Sequence, residues 1–532
     1  MPSTTVIDFE RVLEFLQQPD AYPHHPLRVE IRQTHASVIA IVPPYVYKVK
    51  KRVNLGFLDF RSLADRKANC DREVHLNGRL CPELYVAVVP ISRQSDDGRL
   101  TFGAGGDVVD YALQMNQLPD GFFLKELLVK GLVTPLMLEP VLVLLKYFYE
   151  KQTPDSIIAQ YGNVAHLKIN SDENFNTLRQ FAGDTIHPVA LQAISQFTEH
   201  FYENQRPLLE KRIRENRIKD GHGDLHLEHI HVQDGKVCIY DCIEFNDRFR
   251  YLDVASDIAF LAMDFDFYQR PNLARYVIDR MAQLLNDPEM KQLMTFYQCY
   301  RACVRAKVES LRSSELEVPA SERQQSRENA IRYSQFALRY ATLGSVPAVI
   351  LVGGRIGSGK STLARQLTQL LGAEYLSSDV VRKEQASIPQ YERTAPEKRA
   401  YLYAATQKDS VYESLLGTAL KAVRQGRICL VDATFGQLTN RTMFTAALTS
   451  QGIPYYFLET QASELTTRLR LKQREHQPQV VSDARLNDFD RLNRAYQEPA
   501  EIPQKQFMAI RTETSLDDGL SDSIAQIRAA NQ

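Results

Sequence analysis

The segment Val349–Gly372, VILVGGRIGSGKSTLARQLTQLLG, constrains what this chain can fold into more than any other stretch. Val349–Val352 is a short apolar run that reads as a strand. Leu363, Leu367, Leu370 and Leu371 recur on one face of a helix, and Gly372 is placed to cap it. Between strand and helix lie Gly354, Gly357, Ser358 and Gly359, then Lys360, Ser361 and Thr362. Gly354, Gly359, Lys360 and Ser361 have the spacing G-x-x-x-x-G-K-S. The glycines let successive backbone N–H groups surround a phosphate, and the helix N-terminus adds the positive end of its dipole. Lys360 would neutralise the β and γ oxygens of a nucleotide and Ser361 would ligate Mg2+.

At 532 residues the chain exceeds one ordinary core, and two or three domains are expected. The polar stretch Ser313–Arg339 gives way to the apolar run Val346–Val352, which places a boundary near residue 343 and predicts domains at 1–343 and 344–532. After the boundary, expected strands at 346–352, 427–431 and 454–458 alternate with helices, the pattern of a parallel α/β sheet. Before it, Arg28–Arg32, Ser37–Val42, Val46–Lys50 and Tyr85–Ile91 read as strands around a charged helical stretch from Phe60 to Leu80. Helical patterns dominate from Phe122 onward, so a small β-rich lobe precedes a larger helical one.

The formal net charge is −1, from 64 basic and 65 acidic residues, which argues against an extended nucleic-acid footprint. The most apolar stretch, Gly131–Tyr149, is broken by Pro135, Glu139 and Pro140 and reads as a buried helix rather than a membrane span. The seven cysteines are odd in number and thinly spread, with no C-x-x-C pair, so neither a disulfide framework nor a zinc knuckle is expected. The N-terminus has no secretory h-region. A reduced cytoplasmic enzyme fits these features.

Which nucleotide chemistry the C-terminal half supports is read from its other elements. AEYLSSDVVRKE puts Asp379 and Arg382 just past a strand, and ICLVDATF ends a strand in Asp432. Together with the phosphate-binding loop, this resembles the small-molecule and polynucleotide kinases of the P-loop NTPase superfamily. The resemblance implies that Asp379 faces the acceptor, as base or as metal holder, and that Arg382 grips an anionic group. Asp432 would orient Mg2+. The bland alternative makes both aspartates ordinary turn or capping residues. Arg470 and Arg474, four apart on the basic stretch Glu464–Arg474, share a helix face. The resemblance makes that stretch a lid over the triphosphate; otherwise it is a solvated basic face.

In the N-terminal half, DGHGDLHLEHIH at 220–231 is followed by VCIYDCIEF at 237–245, two carboxylate-bearing segments suited to converge. The match of His222, Gly223, Asp224 and Asp241 resembles the aminoglycoside phosphotransferase family, a branch of the protein-kinase-like fold, over roughly residues 28–310. That resemblance implies that Asp224 takes the acceptor hydroxyl's proton and Asp241 holds Mg2+. Asp253 and Asp257 would support the loop. The resemblance also calls for a strand lysine paired with a helix glutamate. Lys48 and Glu73 fit, 25 positions apart, although Lys50 shares the same face and Lys51 lies opposite. The sequence departs from the family in two places. His229 stands where a metal-binding Asn is usual, which moves preference toward Mn2+. The loop Gln33–Ser37 must cover phosphates without glycine. A transition-metal cluster of His222, His226, His229, His231 and Asp224 is the competing use of the same residues; His226 and His231 also read as plain packing groups.

These features predict an α+β bilobal kinase-like domain followed by an α/β P-loop domain. Each would use ATP and Mg2+ to phosphorylate a small hydroxyl-bearing acceptor. Two rival readings are a pseudokinase module regulated by the C-terminal ATPase, and a C-terminal polynucleotide-end kinase, since one terminus needs only a few arginines.

Overall fold

The computed structural model describes residues 9–34, 36–54, 58–395, 398–399, 402, 404–477 and 480–531. His35, in the expected loop Gln33–Ser37, lies outside the described residues. The chain divides into two compact units. One takes in the chain up to Leu167 with Pro207–Tyr268 and Leu273–Lys291; the other comprises Lys168–Arg206, Gln269–Asn272 and Gln292 onward. Residue 343 therefore marks where the parallel sheet is about to begin, while helices before it, Pro188–Asn204 and Ala320–Leu343, already belong to the second unit. The helix Ala320–Leu343 buries Tyr333, Ala337, Leu338 and Tyr340, a face that needs a core.

The first unit opens on a six-stranded antiparallel sheet, ordered β1-β2-β3-β6-β4-β5. The strands are β1 Glu30–Gln33, β2 Ser37–Val42, β3 Tyr45–Lys50, β4 Tyr85–Arg93, β5 Leu100–Phe102 and β6 Asp107–Asn116. Val38, Ala40, Val42, Tyr47 and Val49 alternate into a core with Phe15, Leu16 and Tyr22. Between β3 and β4 runs the helix Leu63–Asn77, started by Ser62, whose side chain accepts from the Asp65 N–H. It is shorter at both ends than the Phe60–Leu80 stretch expected from the sequence. Its buried face is polar: Arg66, Asn69, Glu73 and Asn77, at helical spacing. Such a face is tolerated only when its groups find partners. Arg66 meets Asp110 of β6 at 2.7 Å, and the Asn77 side-chain carbonyl accepts from the Cys242 N–H at 2.8 Å.

Cys81, just after this helix, is disulfide-bonded to Cys238 across 157 residues. One bond is not the framework that the cysteine pattern argued against, but it departs from the expectation of a fully reduced chain. Cysteine spacing signals pairs that lie near in sequence or fall into a framework, and this pair does neither. Cys238 belongs to the hairpin of β8 (Ile230–Gln233) and β9 (Lys236–Ile239). A two-stranded pairing of β7 (Ile218–Asp220) with β10 (Tyr251–Asp253) flanks it. The loop 221–229 lies between β7 and β8, and Asp241 follows β9. Below them the helix Val254–Phe267 is buried at every residue but Asp266, and carries Asp257 and Asp264 inward. The helix Pro135–Glu150 buries Leu138, Val141, Leu142, Leu145 and Phe148. Among the described residues no helix is long and apolar enough to cross a membrane.

The second unit is built on a five-stranded parallel sheet ordered β12-β13-β11-β14-β15. Its strands are β11 Val349–Gly354, β12 Glu374–Ser377, β13 Cys429–Asp432, β14 Tyr455–Gln461 and β15 Phe507–Arg511. The strands β11, β13 and β14 each start one to three residues later than the apolar runs suggest; Pro454, which has no N–H to give a ladder, directly precedes β14, and its carbonyl accepts from Val349. The chain leaves β11 for β12 on one side and reaches β14 on the other. β11 is thus the switch point, where open α/β sheets bind ligands at the strand C-termini.

Arg212 is fully buried in the first unit, holding Asp253 at 2.7 Å and Asp287 at 2.6 Å. Asp253 also caps the helix Val254–Phe267, accepting from Ala255 at 2.8 Å. Arg212→Ala removes the buried cation between two buried carboxylates, leaving Asp253 with the Ala255 N–H and Asp287 with the Met290 N–H and the more distant Arg217. It should cost the first unit about 3–5 kcal/mol, read as an earlier urea transition; an unchanged midpoint would contradict this account.

Candidate functional site

Strand alternation sets Lys48 and Lys50 on one face of β3, beneath the helix Leu63–Asn77. Lys48 Nζ lies 2.8 Å from Glu73 Oε1 and 3.0 Å from Asp241 Oδ1. Lys50 Nζ lies 2.5 Å from Glu73 Oε2 and 2.7 Å from Glu244 Oε1. Both lysines thus reach Glu73, and Lys48 alone of the two bonds Asp241. Burial pulls the Lys48 ammonium down, but Asp241 and Glu73 outweigh it and hold it well above the ordinary lysine value. Burial pushes Asp241 up, yet Lys48 and His229 hold its carboxyl well below the usual range. Asp241 takes a left-handed backbone, φ 61°, unusual for a residue with a side chain, and its side chain is 40% exposed.

The loop 221–229 is hung from the helix beneath it. Asp257 accepts from the backbone N–H of His222 at 2.7 Å and of Gly223 at 2.9 Å, and from Tyr149 at 3.0 Å. Asp264 accepts from Leu227 at 2.9 Å. Gly223 sits at φ 84°, and a Cβ there would come 2.8 Å from the Phe249 carbonyl, so no other residue fits. His222 donates through Nε2 to the Tyr240 carbonyl at 2.9 Å, and burial lowers its pKa to about 3. His229 donates through Nδ1 to the Asp224 carbonyl at 3.0 Å, with its Nε2 3.5 Å from Asp241 Oδ2. Asp224 Oδ2 is 3.4 Å from His226 Nε2 and 3.6 Å from His229 Nδ1. Asp224, Asp241 and Lys48 therefore gather around the His229 ring. His231 turns away, bonding the Pro119 carbonyl at 3.1 Å beside Phe122 and Phe123.

In the second unit the loop after β11 carries Gly359 at φ 95°, where a Cβ would meet Thr512 Oγ1 at 3.1 Å and Arg470 at 3.3 Å. Lys360 opens the helix Lys360–Leu371 and donates to the Arg355 carbonyl at 2.9 Å. Burial lowers its pKa to about 8, with Arg474 adding to the effect and Asp432 and Asp379 opposing it. Asp432 ends β13 beside β11. It accepts from Tyr375 at 2.6 Å and from Ser361, and burial raises its pKa. Asp379 and Arg382 lie on the helix Ser378–Gln385, paired at 2.5 Å. Burial pushes Asp379 up, but Arg382 and a hydrogen bond from Ser482 hold it below the ordinary carboxylate value. Arg470 and Arg474 share the helix Glu464–Glu475. Arg474 is lowered by burial and acts on Asp379 and Asp432. Ser358, expected among the phosphate-binding residues, turns its hydroxyl to Thr460 Oγ1 at 2.6 Å and its backbone N–H to the Arg355 carbonyl at 3.2 Å.

Sequence reasoning missed several groups here. Thr512 donates to the Ser358 carbonyl at 2.6 Å and accepts from Arg470 at 3.0 Å, tying the helix Glu464–Glu475 to the loop after β11. Tyr375 and Ser482 orient the two aspartates. In the first unit Glu244 answers Lys50; its place three residues after Asp241 was the one available signal.

A family model described as an AAA domain matches residues 349–499, the segment that holds the phosphate loop, Asp432 and Arg474. Among solved structures, a gluconokinase from Sinorhizobium meliloti 1021 is 16% identical, with a TM-score of 0.25, over 35% of this chain and 94% of that one. Kti12 from Chaetomium thermophilum, in complex with ADP-AlF3, is 18% identical, with a TM-score of 0.27, over 34% of this chain and 98% of that one. Across both units the likeness is to mycobacterial proteins. Uncharacterized protein Rv2004c of Mycobacterium tuberculosis and Uncharacterized protein Mb2027c of Mycobacterium bovis are each 31% identical over 408 residues, spanning 77% of this chain and 78% of theirs. With a P-loop domain and that extent of shared sequence, the chain belongs to the family of Rv2004c.

Proposed function

We propose that this protein is an ATP-dependent phosphotransferase with one nucleotide site in each unit, each passing a γ-phosphoryl group to the hydroxyl of a small acceptor. One observation carries the reading: the same charge pattern recurs in both units. A half-buried lysine acts on a metal-competent carboxylate, Lys48 on Asp241 and Lys360 on Asp432, with a second carboxylate near each, Asp379 acting on Lys360 and Asp224 reaching Asp241 across the His229 ring. Phosphoryl transfer asks little else of a protein than positioned charge.

In the second unit the backbone of Gly354–Ser361 and the Lys360 ammonium bind the triphosphate. The oxygen donors Ser361 and Asp432 suit Mg2+, which when bound supplies neutralising charge to the β and γ oxygens. Asp379, kept ionised by Arg382 and Ser482, takes the acceptor proton. Arg382 orients it, and Arg470 and Arg474 balance charge on the transferring group. In the first unit Lys48, held by Glu73, grips the nucleotide phosphates, and Asp224 orients the acceptor hydroxyl and accepts its proton. The position of Lys48 on the third strand, paired to the following helix, supports a kinase-like lobe.

Asp224→Ala and Lys360→Ala, assayed separately with labelled ATP and a metabolite mixture, should each remove a different phosphorylated product, by about 10²–10⁴-fold for loss of the base. If Lys360→Ala removes every product and Asp224→Ala none, the first unit is a binding module instead.

Lys360 also sets a pH dependence. Its pKa falls from the usual 10.5 to about 8 in the folded, ligand-free state, so the charged side chain destabilises that state at neutral pH. Lys360→Met should therefore raise the melting temperature of the free protein. The gain is full below pH 8 and fades as pH rises toward 10.5, because the folded lysine then sheds its proton while the unfolded one keeps it. Scanning calorimetry across that range checks the sign; a variant that melts lower at pH 7 contradicts it.

A further inference from the structure

Arg250 is 1% exposed and lies between the two segments that carry the acidic groups of the first unit. Its Nε donates to Asp220 Oδ1 at 2.5 Å, where the loop 221–229 begins. Its Nη1 donates to the Ile243 carbonyl at 2.9 Å, just past Asp241. One guanidinium thus joins the chain before Asp224 to the chain after Asp241. Its third nitrogen, Nη2, donates to Asp247 Oδ1 at 2.6 Å.

Asp247 reaches in another direction as well. The Asn246 side chain accepts from the Arg248 N–H at 3.1 Å and starts the short helix Asp247–Arg250, at whose head Asp247 stays part-exposed. The Oδ1 that meets Arg250 also accepts from Arg72 Nη2, on the helix Leu63–Asn77. Arg72 directly precedes Glu73, and successive helix residues point about 100° apart. Glu73 therefore grips the lysines of β3 in one direction while Arg72 grips Asp247 in another. One grip sets a distance; two set the roll of the helix. Burial pushes the Asp247 carboxyl up, but Arg72 and Arg250 hold it below the ordinary range, so the tie is charged at neutral pH.

We propose that Asp247 is a positioning residue for the site of the first unit: its carboxylate, held by Arg72 on one side and Arg250 on the other, sets the helix that carries Glu73 against the segments that carry Asp224 and Asp241. A half-exposed ion pair standing alone contributes little. This one does not stand alone, because the hold of Arg72 passes through the same oxygen to an arginine that is bonded to both acidic segments. The proposal deepens the phosphotransferase reading of the first unit and rests on it for what the site binds.

The test uses the full chain carrying Lys360→Ala, so that the first unit is read, with trinitrophenyl-ATP and Mg2+ as the probe. Lys48→Met in that background should abolish binding, which checks that the site takes a nucleotide. Asp247→Ala should weaken binding about tenfold, the worth of one charge-assisted hydrogen bond, and Asp247→Glu, which restores a carboxylate, should recover most of the loss. Arg72→Met should lose as much as Asp247→Ala, and the double variant no more than either, because both remove one tie. Each of these changes leaves Arg250 with Asp220 and the Ile243 carbonyl, and circular dichroism with the melting temperature confirms the fold. Asp247→Ala that binds as its parent does, Asp247→Glu no better than Asp247→Ala, or losses that add in the double variant would each overturn the proposal. Binding that survives Lys48→Met would overturn the nucleotide reading of the first unit, and the proposal with it, whatever Asp247→Ala does.

Discussion

Two lysine side chains on one face of β3 are withdrawn from water, and the first unit is arranged around answering their charge. An unpaired ammonium in such a place would lose its proton or unfold its surroundings. Glu73 supplies one oxygen to each lysine, Glu244 completes Lys50, and Asp241 completes Lys48. Those carboxylates come from a helix and from the chain following β9, so satisfying the lysines fixes where both must lie. The placement of Asp241 then sets what its outer oxygen and His229 can reach.

The second unit, which carries the P-loop, places its charge by other means. Its anion-binding groups are backbone N–H groups and a helix end, which carry partial charge without needing a counter-ion. Lys360 rests on a carbonyl, and its depressed pKa records that it is poorly satisfied before phosphate arrives. In the first unit Lys48 is satisfied beforehand, by Glu73 and Asp241. One site stores unmet charge; the other stores a pre-built ion network.

How much was legible in the sequence follows from which forces write themselves locally. The phosphate loop was readable because glycine spacing is imposed by backbone conformation, and Gly354, Gly357 and Gly359 do take positive φ. Of the five parallel strands, β11, β13 and β14 were readable from apolar runs and β12 from its place before Asp379, whereas β15, Phe507–Arg511, was not read as a strand. The helix Leu63–Asn77 was blurred because its inward face is polar, and no apolar periodicity marks it. Lys48 could be paired with Glu73 only through family resemblance. That Lys50 uses the same glutamate, with Glu244, is a fact of three dimensions. The disulfide of Cys81 with Cys238 and the tie of Thr512 to Ser358 join residues more than a hundred positions apart, and side-chain type alone does not announce either.

The double use of Glu73 has a mechanical consequence. A helix that holds a single lysine by one carboxylate can swing outward, leaving that lysine to a phosphate or to water. Here the same glutamate also serves Lys50, whose side chain is 2% exposed and has nowhere to turn. Rotating the helix out would therefore take Glu73 from both lysines at once, leaving Lys50 to Glu244 and Lys48 to Asp241. The helix and the chain after β9 are thus clamped together through the two ammonium groups, and movement of either is opposed by both ion pairs.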